Sequence, residues 1–412
     1  MLTRHHLLSL YLPAISLSLG TSMVAPVIPG LTKSYDVNFG TASLVLVAYQ
    51  LGALAATVPG GYFMDRAGRR PVLLLGLLLA AISSFLTPFA GSFVLLLVCR
   101  FAGGVAMQLW QQARLAVITD TTSQGQRARQ INWMYGMAQG GTLFGPSVGG
   151  FLAAGLGLWV PFVALGFLAL VSLIPTFLMI KETAPGRVPQ AAGAEAREPD
   201  LGWRGLVAIL LTFQMLIFMI VQFSAQISRG GWDQGSLSLY AVYAYGIGPQ
   251  HLGILNTVAA VIGLPVPFIT GYLMDRFSRK AVIVPGFGLY GGALVLAALT
   301  AYLELPLLPF LACYVFVQAS LGVTGGTMQV LGADRAPAFA RGRFFAVWRL
   351  VSQAGTTISP GIFALVAEAA GYGTAFITLA CCAWLVSGLV AVVLRDRHKE
   401  SAPAATTAAA NP

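Results

Sequence analysis

Four charged side chains lie within or beside long apolar stretches, where holding an ion or forming an ion pair is the chemistry they could perform. Arg100 stands inside an apolar run, Arg349 lies near the start of another, and Arg229 precedes Asp233 by four residues. A charge at the centre of a membrane costs at least ~2.5–3.5 kcal/mol on insertion scales, so such residues face a cavity and a partner. Arginine does not release its proton, so it would hold an anion or lower the pKa of a nearby acid. Asp233 is therefore the best candidate for a proton-carrying group.

The position of Arg229 and Asp233 has two interpretations. If the seventh apolar run spans the membrane over 206–240, the two side chains lie deep in it and can pair on one helix face. If residues 206–226 alone span, the pair lies in an outer loop. Arg349 likewise either lines a cavity or extends its side chain to the membrane surface.

Amide side chains also punctuate the apolar stretches. Polar amides inside a membrane face protein or water and not lipid. Several are expected to line a central cavity, and hydrogen bonding between helices without ligand contact is an equally good interpretation for any one of them. The four chosen as cavity candidates are Gln50, Gln108, Gln222 and Gln318.

The elements that must position these residues occur twice in the chain. The ten residues that begin at Gly61 return as ten similar residues beginning at Gly271, 210 positions later. Each copy places an acid and several bases on a short connection between two long apolar runs. A second set of landmarks, shifted by 214 positions, pairs Asp120, Arg127, Gly141 and Pro146 with Asp334, Arg341, Gly355 and Pro360. The repeat predicts a duplicated membrane bundle whose site lies where the two halves meet.

Composition favours a membrane protein. The chain is 57% hydrophobic and 9% charged, whereas a soluble domain has ~25% charged residues. Apolar runs of about 20 residues are long enough to cross a membrane. The twelve such runs lie near 7–29, 41–62, 71–90, 93–116, 131–154, 158–180, 206–240, 250–274, 281–301, 306–330, 344–369 and 373–394.

Charge predicts the orientation of the bundle. Basic residues crowd alternate connections, which predicts that both termini are cytoplasmic. The net charge of +10 is therefore a topology signal and not a sign of nucleic-acid binding. The predicted regions are an N-terminal six-helix bundle (1–180), a cytoplasmic linker (181–203), a C-terminal six-helix bundle (204–397) and a disordered tail (398–412).

Small residues in the fifth apolar run predict a bent helix with one smooth face. Glycines recur at every fourth position and admit a neighbouring backbone. A proline among them removes a backbone donor and should bend the helix. Such a face suits a rocking contact between the halves, with ordinary close packing as the alternative. The residues, with their second-half counterparts, are Gly141, Gly145, Pro146, Gly149, Gly150, Gly355 and Pro360.

The loop from Gly61 to Arg70 resembles the signature of the major facilitator superfamily, and the resemblance covers nearly the whole chain. Arg100 with Gly103 and Gly104 is similar to the superfamily's fourth-span motif, which in antiporters is tied to proton movement. The run 141–150 resembles the fifth-span signature of its drug:proton antiporters. The resemblance implies an all-α membrane protein with twelve transmembrane helices in two pseudo-symmetric six-helix bundles.

The resemblance also implies a cytoplasmic latch, a set of charged contacts that form in one conformation and break in another. Asp65 would face the positive end of the eleventh span near Phe344, and Asp275 would face the start of the fifth. A solvated charge cluster that only sets topology is the alternative. The second copy departs from the pattern, with Ser278 in place of Gly68. The residues assigned to the latch are Gly61, Asp65, Arg66, Gly68, Arg69, Arg70, Asp120, Arg127, Asp275, Arg276, Arg279, Asp334 and Arg341.

We expect a secondary transporter that alternates access around one central site. Proton-coupled efflux of small amphipathic or drug-like molecules is the first expectation, because the fifth-span signature is antiporter-like. The first span, however, has no acid, although many drug:proton antiporters carry one there. The excess of arginines over acids favours symport or facilitated transport of a small organic anion. A non-transporting receptor or scaffold is a remote alternative.

The remaining expectations concern partners and location. No enzyme is expected, because the sequence offers no nucleophile–base pair. No cofactor or metal is expected, and a proton gradient would supply the energy. The expected partners are a small-molecule substrate, the lipid bilayer and protons, with no nucleic acid. The protein is expected to be a monomer in the cell (plasma or inner) membrane.

Overall fold

A computed structural model of the chain describes residues 10–122, 124–182, 209–233, 235–335 and 341–394. Inside these ranges, the side chains of residues 124–129, 131–132, 231–233, 275 and 341–343 are not described. The predicted linker lies outside the described residues except for its first two positions, and the predicted tail lies wholly outside them.

The described residues form twelve helical spans, which we label α1 to α12 in chain order. The first six are α1 (Leu12–Val24 and Ile28–Lys33), α2 (Phe39–Ala67), α3 (Arg69–Leu86), α4 (Phe93–Thr121), α5 (Gln124–Leu156) and α6 (Val160–Met179). The next four are α7 (Phe213–Asp233 and Ser236–Tyr245), α8 (Pro249–Gly263 and Val266–Arg276), α9 (Arg279–Tyr302) and α10 (Leu307–Val323 and Thr327–Arg335). The last two, α11 and α12, are the parts of the helix Arg341–Val393 on either side of Gly371, whose φ of 86° breaks it.

Within each half, successive spans run in opposite directions, and few residues join one span to the next. We call the end of the bundle that carries the α2–α3 and α8–α9 turns the basic face, and the other end the opposite face. By length and composition, eight helical stretches in the described part of the chain could cross a membrane.

Polar caps begin several of these helices at the ends of apolar runs. Asn38 accepts a hydrogen bond from the Thr41 amide at 2.9 Å, which starts α2. Ser92 accepts one from the Leu95 amide at 3.2 Å, which starts α4. Each cap satisfies a backbone donor that has no partner inside its helix.

Glycines set how closely helices approach within a half. A Cβ at Gly52 of α2 would overlap the carbonyl oxygen of Phe101 in α4, and one at Gly104 of α4 would overlap that of Tyr49 in α2. The two backbones therefore touch at both crossings, as small residues permit in membrane helices. This contact fixes Tyr49 beside the residues that precede Gly104.

Helix ends differ from the apolar runs that predicted them. The fifth helix begins at Gln124 and the fourth continues to Thr121, because backbone hydrogen bonding continues beyond the apolar stretch. Arg114, near the end of the fourth apolar run, is buried within α4, with its guanidinium 4.1 Å from the centre of the Trp110 ring.

Four spans are broken where the sequence predicts continuous helices. The breaks fall at 25–27 in α1, at Gly235 in α7, at 264–265 in α8 and at 324–326 in α10. Positive φ values of 94° at Gly235 and 75° at Gly326 interrupt two of them. Breaks inside a membrane bundle are tolerated where the exposed backbone is buried in protein or lines a cavity.

Candidate functional site

A cavity of about 620 Å³ lies between the two halves of the bundle. Its walls come from α1 to α6 on one side and from α7, α8 and α10 on the other. Much of the lining is apolar, with Ile28, Leu46 and Phe162 among its residues. Among the lining residues that the structure describes, the charged side chains are Arg100 and Arg229.

Arg100 of α4 lines this cavity beside an aromatic ring. Its guanidinium carbon lies 4.7 Å from the centre of the Tyr49 ring, within the range of a cation–π interaction. Its Nε is buried and makes no hydrogen bond to the described residues. Tyr314, the residue of the second half that corresponds to Arg100 in the repeat, also lines the cavity.

The Tyr314 side chain, in contrast, is held by other polar groups. Its hydroxyl donates to the side-chain oxygen of Asn256 and lies 3.5 Å from the Ser238 hydroxyl. The repeat therefore places a charge in the first half of the cavity and a neutral hydrogen-bonded ring in the second. Asn256 and Ser238 could not be identified from the sequence, because neither belongs to a motif.

Arg229 lies in the bundle and not in an outer loop. It stands within the helix Phe213–Asp233 of α7 and lines the cavity. Its Nη1 donates to the carbonyl oxygen of Thr324 at 3.0 Å, at the break in α10. One arginine thus satisfies a carbonyl that the broken helix exposes. The backbone of Asp233 belongs to the same helix, but its side chain lies outside the described part of the structure.

The four glutamine candidates occupy different places. Gln318 lines the cavity. Gln108 donates to the Thr57 hydroxyl at 3.1 Å and so joins α4 to α2 within the first half. Gln50 accepts from Gln353 at 3.2 Å between α2 and α11. Gln222 is 2% exposed and is absent from the cavity lining.

Arg349 does not belong to the cavity. It is exposed, and it is absent from the described lining. The preceding residue explains this position, because Trp348 is 3% exposed and stacks on Phe344, with ring centres 5.8 Å apart. The helix buries Trp348, so the next side chain points away. The prediction that Arg349 lines the cavity is therefore wrong in this conformation.

The glycines of α5 contact two different neighbours. Gly141, Gly145 and Gly149 pack on the backbone or side chains of α1 within the first half. Gly150 packs on Pro249 and Gly253 of α8, across the seam between the halves. The smooth face predicted at the seam thus lies mainly inside one half, because the fourfold spacing keeps three glycines on the face that meets α1.

The second-half counterpart follows the same arrangement. Gly355 of α11 packs on Phe223 and Gln226 of α7, and Pro360 is buried. The two helices thus play matching parts in their halves, with α11 against α7 as α5 is against α1. This correspondence reflects the repeat in the sequence.

Across the seam, α5 and α8 meet through small and polar residues. The Ser147 hydroxyl lies 2.8 Å from that of Thr257, and the Ser147 amide donates to the same oxygen at 3.2 Å. A Cβ at Gly253 would overlap the carbonyl oxygen of Pro146. The missing side chains therefore allow the two backbones to touch.

The halves are also joined at the opposite face. The Lys33 ammonium donates to the carbonyl oxygen of Val242 at 2.7 Å, and the Tyr243 hydroxyl donates to that of Val37 at 3.2 Å. Glu368, at the end of α11, accepts a hydrogen bond from the Gly40 amide at 3.1 Å. A carboxylate at the first turn of α2 is favoured by the helix dipole.

The seam is closed at one end. Among the described residues, no hydrogen bond between the halves lies nearer the basic face than the Gln50–Gln353 pair. The seam hydrogen bonds between described residues thus run from the middle of the bundle to the opposite face. The cavity is separated from the opposite face by these layers.

The charged turn of the first half is held within that half. Arg69 donates to Asp120 at 3.2 Å, to the Met64 carbonyl oxygen at 2.9 Å and to Asp65 at 3.4 Å. The Asp65 side chain is 80% exposed. The contact predicted between Asp65 and the start of α11 is therefore not made in this conformation. Phe344, at that start, is fully buried.

Glu182, which the sequence did not single out, completes this turn. Its carboxylate accepts hydrogen bonds from the backbone amides of Arg69 at 2.8 Å and Arg70 at 3.2 Å. Arg70 also reaches α6, donating to the carbonyl oxygen of Phe177 at 2.8 Å. The connection between α2 and α3 is thus tied to the end of α6. Gly61 lies apart, with open space where a side chain would stand.

The corresponding turn of the second half has its own pair. Arg279 forms an ion pair with Asp334, with Nη2 donating to Oδ1 at 3.0 Å. Arg276 donates to the Tyr272 hydroxyl at 3.2 Å, and Arg66 lies over the Tyr62 ring in the first half. The side chains of three other predicted latch residues, Arg127, Asp275 and Arg341, lie outside the described part.

Comparison with known proteins points to one family. The model of the Major Facilitator Superfamily matches residues 10–245 and 235–411. Multidrug resistance protein 2 of Bacillus subtilis is 22% identical over 266 residues, 64% of this chain and 66% of that protein. The quinolone resistance protein NorA of Staphylococcus aureus is 22% identical over 399 residues, 95% of this chain and 96% of that protein.

Solved structures share the fold. A D-xylose–proton symporter superposes with a TM-score of 0.77 at 16% identity, covering 95% of this chain and 98% of the other. A bacterial homologue of the lysosomal transporter Spinster, described as inward-facing and unoccupied, gives 0.73 at 15% identity, covering 94% and 96%. The predicted fold class, twelve helices in two six-helix bundles, is confirmed.

Proposed function

Since this chain belongs to the Major Facilitator Superfamily, we propose that it is a proton-coupled exporter of small amphipathic molecules. Members of this family are transporters and not enzymes, and the protein is a multi-pass membrane transporter. One observation carries the proposal, the cavity of about 620 Å³ between the two halves. Its volume falls within the ~300–1,000 Å³ range of sites for drug-sized molecules.

The orientation of the basic face decides from which side of the membrane the cavity receives its substrate. Basic residues favour the cytoplasmic side of a membrane, so we place this face, and both termini, in the cytoplasm of a cell membrane. The closed seam then separates the cavity from the exterior. An exporter must take up its substrate from the cytoplasm or inner leaflet, and this conformation suits that step. Opening the seam at the opposite face would release the substrate outside.

The lining favours amphipathic substrates. Apolar residues such as Leu46 and Phe162 offer hydrophobic surface, while Tyr314 and Gln318 offer polar groups. Relatives named for multidrug and quinolone resistance support the same class of substrate. We propose that the protein works as a monomer in the bilayer.

Coupling to protons requires a group that titrates. Asp233 is the candidate, one helical turn beyond Arg229 on the helix that lines the cavity. Protonation of Asp233 would change the charge at the end of the helix Phe213–Asp233. A proton gradient would then bias the exchange between conformations, since it acts on states that differ in proton affinity. We propose no organic cofactor and no metal.

A second candidate function is symport or facilitated transport of a small organic anion. The two charged side chains that line the cavity in the described part are both arginines, which favours a negatively charged substrate. Direction and coupling distinguish this candidate from export driven by protons.

Transport by purified protein in vesicles tests these alternatives. With an imposed pH gradient, we expect a fluorescent quinolone to move against its concentration gradient, and an uncoupler to abolish this movement. Asp233→Asn should retain substrate exchange and lose the response to the gradient. Uptake of a small organic anion without proton movement would favour the second candidate, and no transport of either compound would reject both.

A further inference from the structure

We propose that Arg100 and Tyr49 form a subsite that binds a carboxylate of the transported molecule, so that the preferred substrates are amphipathic aromatic acids. This inference rests on the proposed function, because it names the substrate class of the same cavity. Both residues line the cavity, and both lie in its first half.

The contacts of Arg100 leave its charge without a described counter-ion. Its Nε is buried without a hydrogen bond, and its guanidinium lies 4.7 Å from the centre of the Tyr49 ring. No carboxylate occurs among the lining residues that the structure describes. A charge inside a membrane protein is costly unless it is paired and hydrogen-bonded. A bound anion would supply the missing partner.

The geometry favours a carboxylate over a small spherical anion. Guanidinium presents its donors in a planar fork that matches the two oxygens of a carboxylate. The Tyr49 ring offers the guanidinium a cation–π contact, which uses none of its N–H donors. Apolar walls at Met107, Phe162 and Leu165 of the same cavity suit an aromatic body attached to the acid.

The second charged side chain of the described lining and the counterpart of Arg100 in the repeat are both engaged elsewhere. Arg229 already donates to Thr324 at the break in α10. Tyr314 takes the place of Arg100 in the second half, and its hydroxyl bonds to Asn256. The cavity is therefore asymmetric, and an acidic group is expected to lie towards α2 and α4.

Equilibrium binding to the purified full-length protein in lipid nanodiscs tests the subsite without transport. Three probes share one ring system and differ in charge, 2-naphthoate, 2-naphthamide and 2-naphthylmethylammonium. We expect calorimetry to give at least ~10-fold tighter binding of the acid than of the amide or the amine, the size of one charge-assisted hydrogen bond. Equal affinities for the three probes would overturn the proposal.

Variants test whether Arg100 causes the preference for the acid probe. Arg100→Gln should remove the preference for the acid, and Arg100→Lys should keep part of it, because lysine retains the charge but not the fork. Arg349→Gln, which removes an exposed arginine outside the cavity lining, is the matched control and should bind like the unmodified protein.

A preference that survives in Arg100→Gln would also overturn the proposal. If Arg100→Gln does not fold, Tyr49→Leu should reduce the preference by displacing the guanidinium, and an unchanged preference there would count against the subsite.

The result separates this inference from the proposed function. Preferential binding of 2-naphthoate without proton-driven export would support the subsite and reject the export mechanism. Proton-driven export of the amine, with no effect of Arg100→Gln on binding, would support export and reject the subsite.

Discussion

The N-terminus of α3 is capped by a residue more than a hundred positions away in the chain. Gly68, with a φ of 104°, stands at the cap position and has no side chain to offer. The carboxylate of Glu182 takes that place. In the second half, Ser278 has extended backbone angles and caps α9 with its own hydroxyl, accepting from the Ala281 amide at 3.1 Å. The departure of Ser278 from the repeat therefore has a local reason.

Removing the remote cap should loosen the first turn. Glu182→Ala should destabilise the protein by about 0.5–2 kcal/mol, because the acceptor of two amides at the N-terminus of α3 is lost. We expect a fall of a few degrees in the apparent Tm of the purified protein in detergent. An unchanged Tm would show that the hydrogen bonds to Arg69 and Arg70 contribute nothing measurable.

Gly68→Ala should be more damaging than the loss of the cap. A Cβ at Gly68 would overlap the Glu182 carboxylate, and the positive φ costs an L-residue about 1–2 kcal/mol. The matched control is Gly61→Ala, where the structure shows open space. Equal stability of the two variants, measured by thermal unfolding, would contradict this account of the turn.

At the scale of elements, two pairs of helices hold the seam. α5 and α8 touch where Gly150 meets Gly253, and α2 and α11 are joined by Gln50 with Gln353 and by Gly40 with Glu368. Small residues and single hydrogen bonds form these contacts, and aromatic rings add to them, since Phe39 of α2 contacts Phe363 of α11 and Tyr372 of α12 edge-on. Opening this end of the seam would separate these rings as well as the hydrogen bonds.

A side chain at the α5–α8 contact should keep the seam from closing. Gly253→Ala would place a Cβ against the carbonyl oxygen of Pro146, whereas Gly248→Ala, earlier on the same segment, meets open space. We expect transport by Gly253→Ala to fall at least ~10-fold while the protein remains folded, and Gly248→Ala to transport normally. Comparable transport rates in the two variants would show that the close approach of α5 and α8 is not needed for the seam to close.

Glu368 should stabilise the state that is closed at the opposite face, because its carboxylate lies at the N-terminal turn of α2. Glu368→Gln removes a charge–dipole interaction worth about 0.3–1 kcal/mol. This corresponds to roughly a twofold to fivefold rise in the population ratio of the state open at the opposite face to the closed state. Cys99 lines the cavity and can report this shift in a background without the other cysteines. An impermeant maleimide applied from the opposite face should label Cys99 faster in the variant. Unaltered labelling would argue against a role for Glu368 in closure.

At the scale of the whole molecule, the repeat in the sequence predicted the fold, because membrane spans are long apolar runs and duplicated motifs mark equivalent turns. The seam contacts and helix breaks were harder to predict. Glu182 and Asn256 belong to no motif, and the break in α10 depends on packing that a single apolar run does not record. The contact expected of Asp65 at the start of α11 is not made in the conformation observed, and a sequence cannot say which state will be populated.

The central claim is that the two halves exchange between a state closed at the opposite face and a state closed at the basic face. Electron–electron distance measurements on spin-labelled pairs test it directly, with one pair at Ser34 and Ala369 and another at Ala67 and Phe277. All four positions are exposed, and each pair joins the two halves at one face. Changes of pH and added substrate should lengthen the first distance whenever they shorten the second. Distances that lengthen together, or that never respond, would contradict the account.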